Sequence, residues 1–247
     1  MALASMDLEM ELIGNSEPLI ALRERMHAYA PARDTPVLIR GERGTETEVV
    51  ARELHAHSPR AQRPFIALTC SAIPDSAIER ELFGDEPTVP GARRGAHALA
   101  NGGTLFLNHV DALGPHAQAK LLRAIEHREA DVRILAATHR SLEDDIAAGR
   151  FRADLLHRLA VAHLVVPPLR VRGNDIVSIA EALLQRTAER LRRQVQGFTR
   201  ATRDVLLGYD WPGNVHELAD EIERALLRND GDVIALDDLR KRMKRRA

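Results

Sequence analysis

The chain has a single cysteine, Cys70, so no disulfide framework holds it together and a reducing cytoplasm suits it. Aromatic residues make up only 3 % of the sequence, too few for a platform on which single-stranded nucleic acid bases stack. The formal net charge is −1, which excludes a body built mainly to bind polyanions. No apolar stretch is long enough to span a bilayer. The first ten residues carry Asp7 and Glu9 and lack both a basic start and a long apolar run, so no secretion signal is expected. What is present is a chain of 247 residues that is 45 % apolar, enough for one large domain or a large domain with a small one.

Short apolar runs alternate with helical patterns in the first two thirds. Strands are expected at 37–39, 65–68, 104–107, 132–136 and 163–166. Helices are expected at 49–57, 76–83, 117–127 and 142–148. Short buried strands joined by helical crossovers imply a parallel sheet covered on both faces. Beyond Pro167-Pro168 the pattern is helical only, with runs at 175–193, 200–207 and 215–228, and Thr199 is placed to cap the second. The division is therefore an N-terminal extension (1–10), an α/β subdomain (11–168), a small all-helical subdomain (169–239) and a basic tail (240–247).

The segment Gly41-Glu42-Arg43-Gly44-Thr45-Glu46-Thr47-Glu48 follows an apolar strand and opens a helix, which is where a G-x-x-x-x-G-K-[ST] phosphate-binding loop sits. Such a loop needs its second glycine so that backbone N–H groups curl around phosphate oxygens. It needs its lysine as a mobile positive charge. Here Glu46 occupies the glycine position and Thr47 the lysine position. A hydrogen bond to a charged group contributes on the order of 1.5–3 kcal/mol, lost with the lysine before any repulsion from Glu46 is counted. The alternative is an ordinary strand-to-helix turn, and the residues favour it.

Six segments occur in an order that resembles one family. They are Leu12-Ile13-Gly14-Asn15-Ser16, Glu81-Leu82-Phe83-Gly84, Ala100-Asn101-Gly102-Gly103-Thr104-Leu105-Phe106-Leu107, Arg133-Ile134-Leu135-Ala136-Ala137-Thr138, Phe151-Arg152-Ala153-Asp154-Leu155-Leu156-His157-Arg158-Leu159, and Trp211-Pro212-Gly213-Asn214-Val215-His216-Glu217-Leu218. The chain resembles the AAA+ central domain of bacterial sigma-54-dependent transcription activators across roughly 11–239. The resemblance implies a P-loop-type parallel sheet sandwiched by helices, followed by a helical lid. It also implies rings, usually of six subunits, that hydrolyse ATP between neighbours and remodel polymerase through a GAFTGA loop.

Matched position by position, the resemblance implies a degenerate member. Gly41, Gly44, Thr45, Glu46 and Thr47 stand for the family's GESGTGKE loop, with the GK pair lost. Asn108 and His109 stand for the aspartate and glutamate of LFLDE, which hold Mg²⁺ and orient water in the family. An amide oxygen carries no charge, so Mg²⁺ affinity falls. Thr69 takes the position of the switch asparagine, His139 that of a sensor asparagine and His216 that of a sensor arginine. Arg152 and Arg158 match arginine fingers that reach a neighbouring subunit, worth roughly 10³–10⁵ in rate where they act. The alternative is that both arginines form surface ion pairs. The segment after Gly84 holds no GAFTGA, so direct engagement of sigma-54 in the family's manner is not expected.

Among the 11 histidines, His109, His139 and His216 converge on one pocket if the fold holds, and converging imidazoles suit Zn²⁺. The alternative is a pocket released from selection. The expectation is thus a cytoplasmic regulatory protein of bacterial transcription and not an enzyme. No cofactor is expected, with ATP and Mg²⁺ the alternative. Its partners would be proteins: itself in a ring, or an active AAA+ relative. The alternatives are a regulator that still binds a nucleotide, and a DNA-associated regulator whose tail from Arg240 to Arg246 touches phosphates.

Overall fold

The computed structural model describes residues 11–85, 91–128 and 130–239. The basic tail and part of the segment expected to replace the remodelling loop (86–90) lie outside the described residues. The elements run α1 (Glu17–Tyr29), β1 (Val37–Arg40), α2 (Thr47–Ala56), β2 (Phe65–Thr69), α3 (Asp75–Phe83), α4 (Ala96–Leu99), β3 (Thr104–Asn108), α5 (Pro115–His127), β4 (Arg133–Thr138), α6 (Leu142–Ala147), α7 (Ala153–Leu159), β5 (Ala162–Val165), α8 (Asp175–Arg190), β6 (Gly197–Phe198), α9 (Arg200–Gly208), α10 (Asn214–Arg228) and β7 (Val233–Ile234). They divide into two compact units. One holds 22–41 and 47–166; the other holds 11–21, 42–46 and the described residues from 167 on. The second unit thus takes 11–21, 42–46 and Pro167-Pro168, which the sequence division assigned to the α/β subdomain.

The α/β unit is built on a five-stranded parallel sheet in the order β2-β3-β4-β1-β5. Leu105, Phe106 and Leu107 of β3 and Val37, Leu38 and Ile39 of β1 are fully buried. Interior strands covered on both faces need unbroken apolar runs, and these supply them. The edge strand β5 alternates instead, with His163 and Val165 exposed. Arg133 is buried at the start of β4. Its guanidinium donates to the backbone carbonyls of Tyr29, Ala30 and Thr35, so the buried charge is spread over three carbonyl oxygens. Asn108 closes β3, paired in register with Thr69 at the end of β2.

The helical unit packs α8, α9 and α10. The Thr199 hydroxyl accepts from the Thr202 N–H and caps α9, as its sequence position implied. Trp211 is fully buried and its indole N–H donates to the Leu206 carbonyl at 2.9 Å. The next turn places Asn214 at the head of α10 with φ 50°, a left-handed backbone that asparagine tolerates. No described helix is long and apolar enough to cross a membrane.

Cys70 is buried in the α/β core. Burial, with the negative charge of Asp111 adding to it, pushes its thiol up to about 12. The thiolate is the reactive form, so the native chain at pH 8 should leave a thiol reagent unreacted until denaturant is added. Rapid native labelling would show that this part of the core opens.

Candidate functional site

The chain from Gly41 to Glu46 links β1 to α2, the position of an anion-binding turn. Its groups are engaged from within the protein. The Gly41 N–H donates to the Thr138 carbonyl at 3.2 Å in the α/β unit. The Thr45 hydroxyl turns back onto the Glu42 carbonyl at 2.8 Å. Within the helical unit, the Glu42 carboxylate takes both terminal nitrogens of Arg170, at 2.7 and 2.6 Å. The Arg170 hydrogen bonds hold the Glu42 carboxyl below its usual value, against a smaller opposing effect of burial. The Asn214 amide donates to the Arg43 carbonyl at 2.9 Å, and the His216 N–H to the Gly44 carbonyl at 3.3 Å. Gly44 has φ +78°, and a Cβ there would meet the Gly213 carbonyl at 2.1 Å, so only glycine allows this approach.

Glu46 is the centre of this arrangement. It immediately precedes α2, and its side chain is 3 % exposed. Arg172, 1 % exposed, meets its carboxylate at 2.6 Å. The same guanidinium donates to the Ile13 carbonyl and lies 3.7 Å from the Asp175 carboxylate. Asp175 in turn accepts from the Asn15 N–H and from the Ser16 N–H and hydroxyl. Burial alone would raise the Asp175 carboxyl; these donors and the Arg172 charge outweigh it and hold it low. Gly14 completes the knot, because a Cβ there would strike the Asp175 carboxylate at 2.2 Å. The cradle therefore contains an anion of its own.

At the carboxyl ends of β3 and β4, where open α/β sheets bind ligands, the donor set is amide and imidazole. Asn108 offers a carbonyl oxygen. His109 follows in a left-handed conformation, φ 55°. Its Nδ1 lies 3.0 Å from the Nδ1 of His139. The third ligand-type side chain grouped with them is Asp111; His216 lies in the helical unit, where its N–H donates to the Gly44 carbonyl. Asp111 escaped the sequence reading because only β4, 30 residues from His109, brings His139 to it.

Arg152 directly precedes α7 and pairs with Asp154 at 2.7 Å; Arg158 pairs with Glu126 at 3.1 Å. All four side chains are exposed, so the ion pairs are surface ones, worth about 0.2–1 kcal/mol each. The alternative reading of these arginines thus describes the isolated chain, at a cost small enough for either to be redirected to another anion.

Comparison with known proteins places this geometry. Residues 12–165 match the Sigma-54 interaction domain and residues 170–247 the AAA+ ATPase lid domain. The chain belongs to the Sigma-54 interaction domain family. Among its relatives, the transcriptional regulatory protein ZraR of Klebsiella oxytoca is 45 % identical over 92 % of this chain. The anaerobic nitric oxide reductase transcription regulator NorR of Salmonella arizonae is 42 % identical over 89 %. The chain spans 55 % and 46 % of these two relatives, about half of each. The crystal structure of NtrX from Brucella abortus in complex with ATP superposes with a TM-score of 0.88 at 34 % identity, covering 96 % of this chain and 56 % of that one. The AAA+ fold, a parallel sheet with flanking helices followed by a helical lid, is that of the sequence expectation.

Removing one partner of a buried ion pair strands the other, at a cost of about 3–5 kcal/mol. Arg172→Met should lose about that much stability in denaturant unfolding, and Glu46→Met with Arg172→Met together should recover most of it. A loss below about 1 kcal/mol for Arg172→Met, the range of an exposed pair, would show that the pair does not organise the loop.

Proposed function

We propose that this chain is a regulatory AAA+ domain of bacterial transcription that does not hydrolyse ATP and acts through protein contacts in the cytoplasm. The observation that carries the reading is the buried Glu46–Arg172 pair at 2.6 Å, in a loop that also lacks a lysine. A triphosphate brought to that loop meets a carboxylate whose compensating charge is already spent. ATP and Mg²⁺, the family's cofactors, do not fit the residues present. Mg²⁺ is a hard cation that asks for several oxygens, and among Asn108, His109, Asp111 and His139 only Asp111 supplies a charged one, beside two imidazoles. No catalytic step is therefore assigned to Gly41, Gly44, Thr45, Glu46, Thr47, Asn108, His109, His139 or His216.

The fingers stand apart from this loss. Arg152 and Arg158 are exposed and held by weak surface pairs, so they remain available to a neighbouring subunit. In a ring shared with an active relative, such a subunit would complete its neighbour's site while contributing no hydrolysis and no GAFTGA loop. It would tune or poison the ring according to its share. A second reading, a regulator that binds nucleotide without turnover, is favoured by the ATP complex of the Brucella NtrX. A third, DNA association through the tail from Arg240, predicts binding that falls steeply with salt.

Phosphate release, measured on the chain alone and mixed with an active sigma-54 activator, tests the first reading. The chain alone should release none above background. Added to the activator, it should change the rate in proportion to its share, and Arg152→Ala with Arg158→Ala should alter that dependence. Turnover on the order of 1 per second by the chain alone would refute the proposal.

A further inference from the structure

We propose that His109, Asp111 and His139 form a binding site for a borderline divalent transition-metal ion, Zn²⁺ being the best match. The ligand atoms of the three side chains lie within 4.8 Å of one another. The two imidazoles present Nδ1 to Nδ1 at 3.0 Å, with their rings nearly perpendicular at 81°. Tetrahedral zinc with Zn–N bonds of roughly 2.0–2.1 Å sets its nitrogens about 3.3 Å apart. The pair therefore needs to open by a few tenths of an ångström, and the two rings must turn so that both Nδ1 lone pairs meet at the ion, which lies off the line joining them.

Without a metal, the two Nδ1 atoms share one proton: one ring donates and the other accepts. A cation between them takes the place of that proton. For both rings to bind through Nδ1, neither can carry its proton on that nitrogen. Asp111 then supplies a negative oxygen. Its carboxylate is already oriented, because the Thr138 hydroxyl donates to it at 2.6 Å while accepting from the Arg140 N–H at 3.0 Å. Such outer hydrogen bonds fix a ligand before the ion arrives. Three protein ligands leave a fourth position to water.

The donor types select the ion. Two imidazoles and one carboxylate suit Zn²⁺, Co²⁺, Ni²⁺ and Cu²⁺, and disfavour Mg²⁺ and Ca²⁺. The backbone supports the arrangement. His109 sits at φ 55°, a conformation available to histidine, asparagine and aspartate but costly for most other residues, and it aims the ring from the end of β3. The site lies wholly within the α/β unit and does not depend on whether the phosphate loop is active.

Equilibrium dialysis of the untagged chain against Zn²⁺ tests the site, with Co²⁺ as a spectroscopic probe. One zinc per chain is expected, undisturbed by a hundredfold excess of Mg²⁺. Co²⁺ should give the intense visible absorption of a tetrahedral centre. His109→Asn, chosen because asparagine keeps the left-handed backbone, and His139→Gln should each weaken binding by at least about tenfold. Asp111→Asn should weaken it less, and His163→Gln on the exposed edge strand not at all. Circular dichroism and metal-free thermal unfolding identify variants that keep the fold. Absence of saturable zinc, or binding indifferent to His109→Asn and His139→Gln combined in a folded chain, would overturn the proposal. Phosphate release plays no part in this readout, so the two proposals fail separately.

Discussion

The ion pair between Glu46 and Arg172 is the contact on which the rest of the account depends. An acid at the last position before α2 is expensive to bury alone. Arg172 makes it tolerable, and Arg172 is itself held by the Ile13 carbonyl and by Asp175. Asp175 then takes the donors of Asn15 and Ser16. One substitution in a glycine position thus reaches two distant stretches of chain and ties 12–16, 42–46 and 170–175 into a single polar cluster. The loop keeps its turn, its Gly44 and its place before a helix. Its buried carboxylate, Glu46, is neutralised by Arg172.

Different residues carry the fold and the chemistry of its sites. Strand runs such as Leu105-Phe106-Leu107 and Val37-Leu38-Ile39 are fixed by burial on both faces, and any loss there leaves a cavity. The residues at the strand ends answer to ligands instead. Asn108, His109 and His139 sit where the sheet delivers its side chains to solvent, and changes there leave the core packing intact. Likeness to ZraR or NtrX therefore speaks for architecture, while each site must be argued from its own residues.

The sheet was legible in the sequence because parallel strands buried on both faces read as unbroken apolar runs. The interior strands β1, β3 and β4 lie where those runs are, and all five strands fall at the expected places with ends displaced by one or two residues, although β2 and β5 at the edges are only partly buried. Helix α1 was missed although Leu19, Leu22 and Met26 repeat along one face, and the short α4 and α7 gave too few residues for a pattern. The site was legible only in its local part. Glu46 in place of glycine is visible in the loop itself. Its partner stands 126 residues away, and no spacing rule connects them. The same holds for His109 and His139, whose approach is set by the β3–β4 register, and for Asp111, which the three-histidine expectation overlooked.

The most direct test of a closed cradle is a calorimetric titration of the chain with ATP and Mg²⁺, beside a variant carrying Glu46→Gly and Thr47→Lys. The account predicts no saturable heat for the native chain at millimolar ATP, and binding in the variant once the internal anion is gone and the lysine restored. Micromolar binding by the native chain would contradict it.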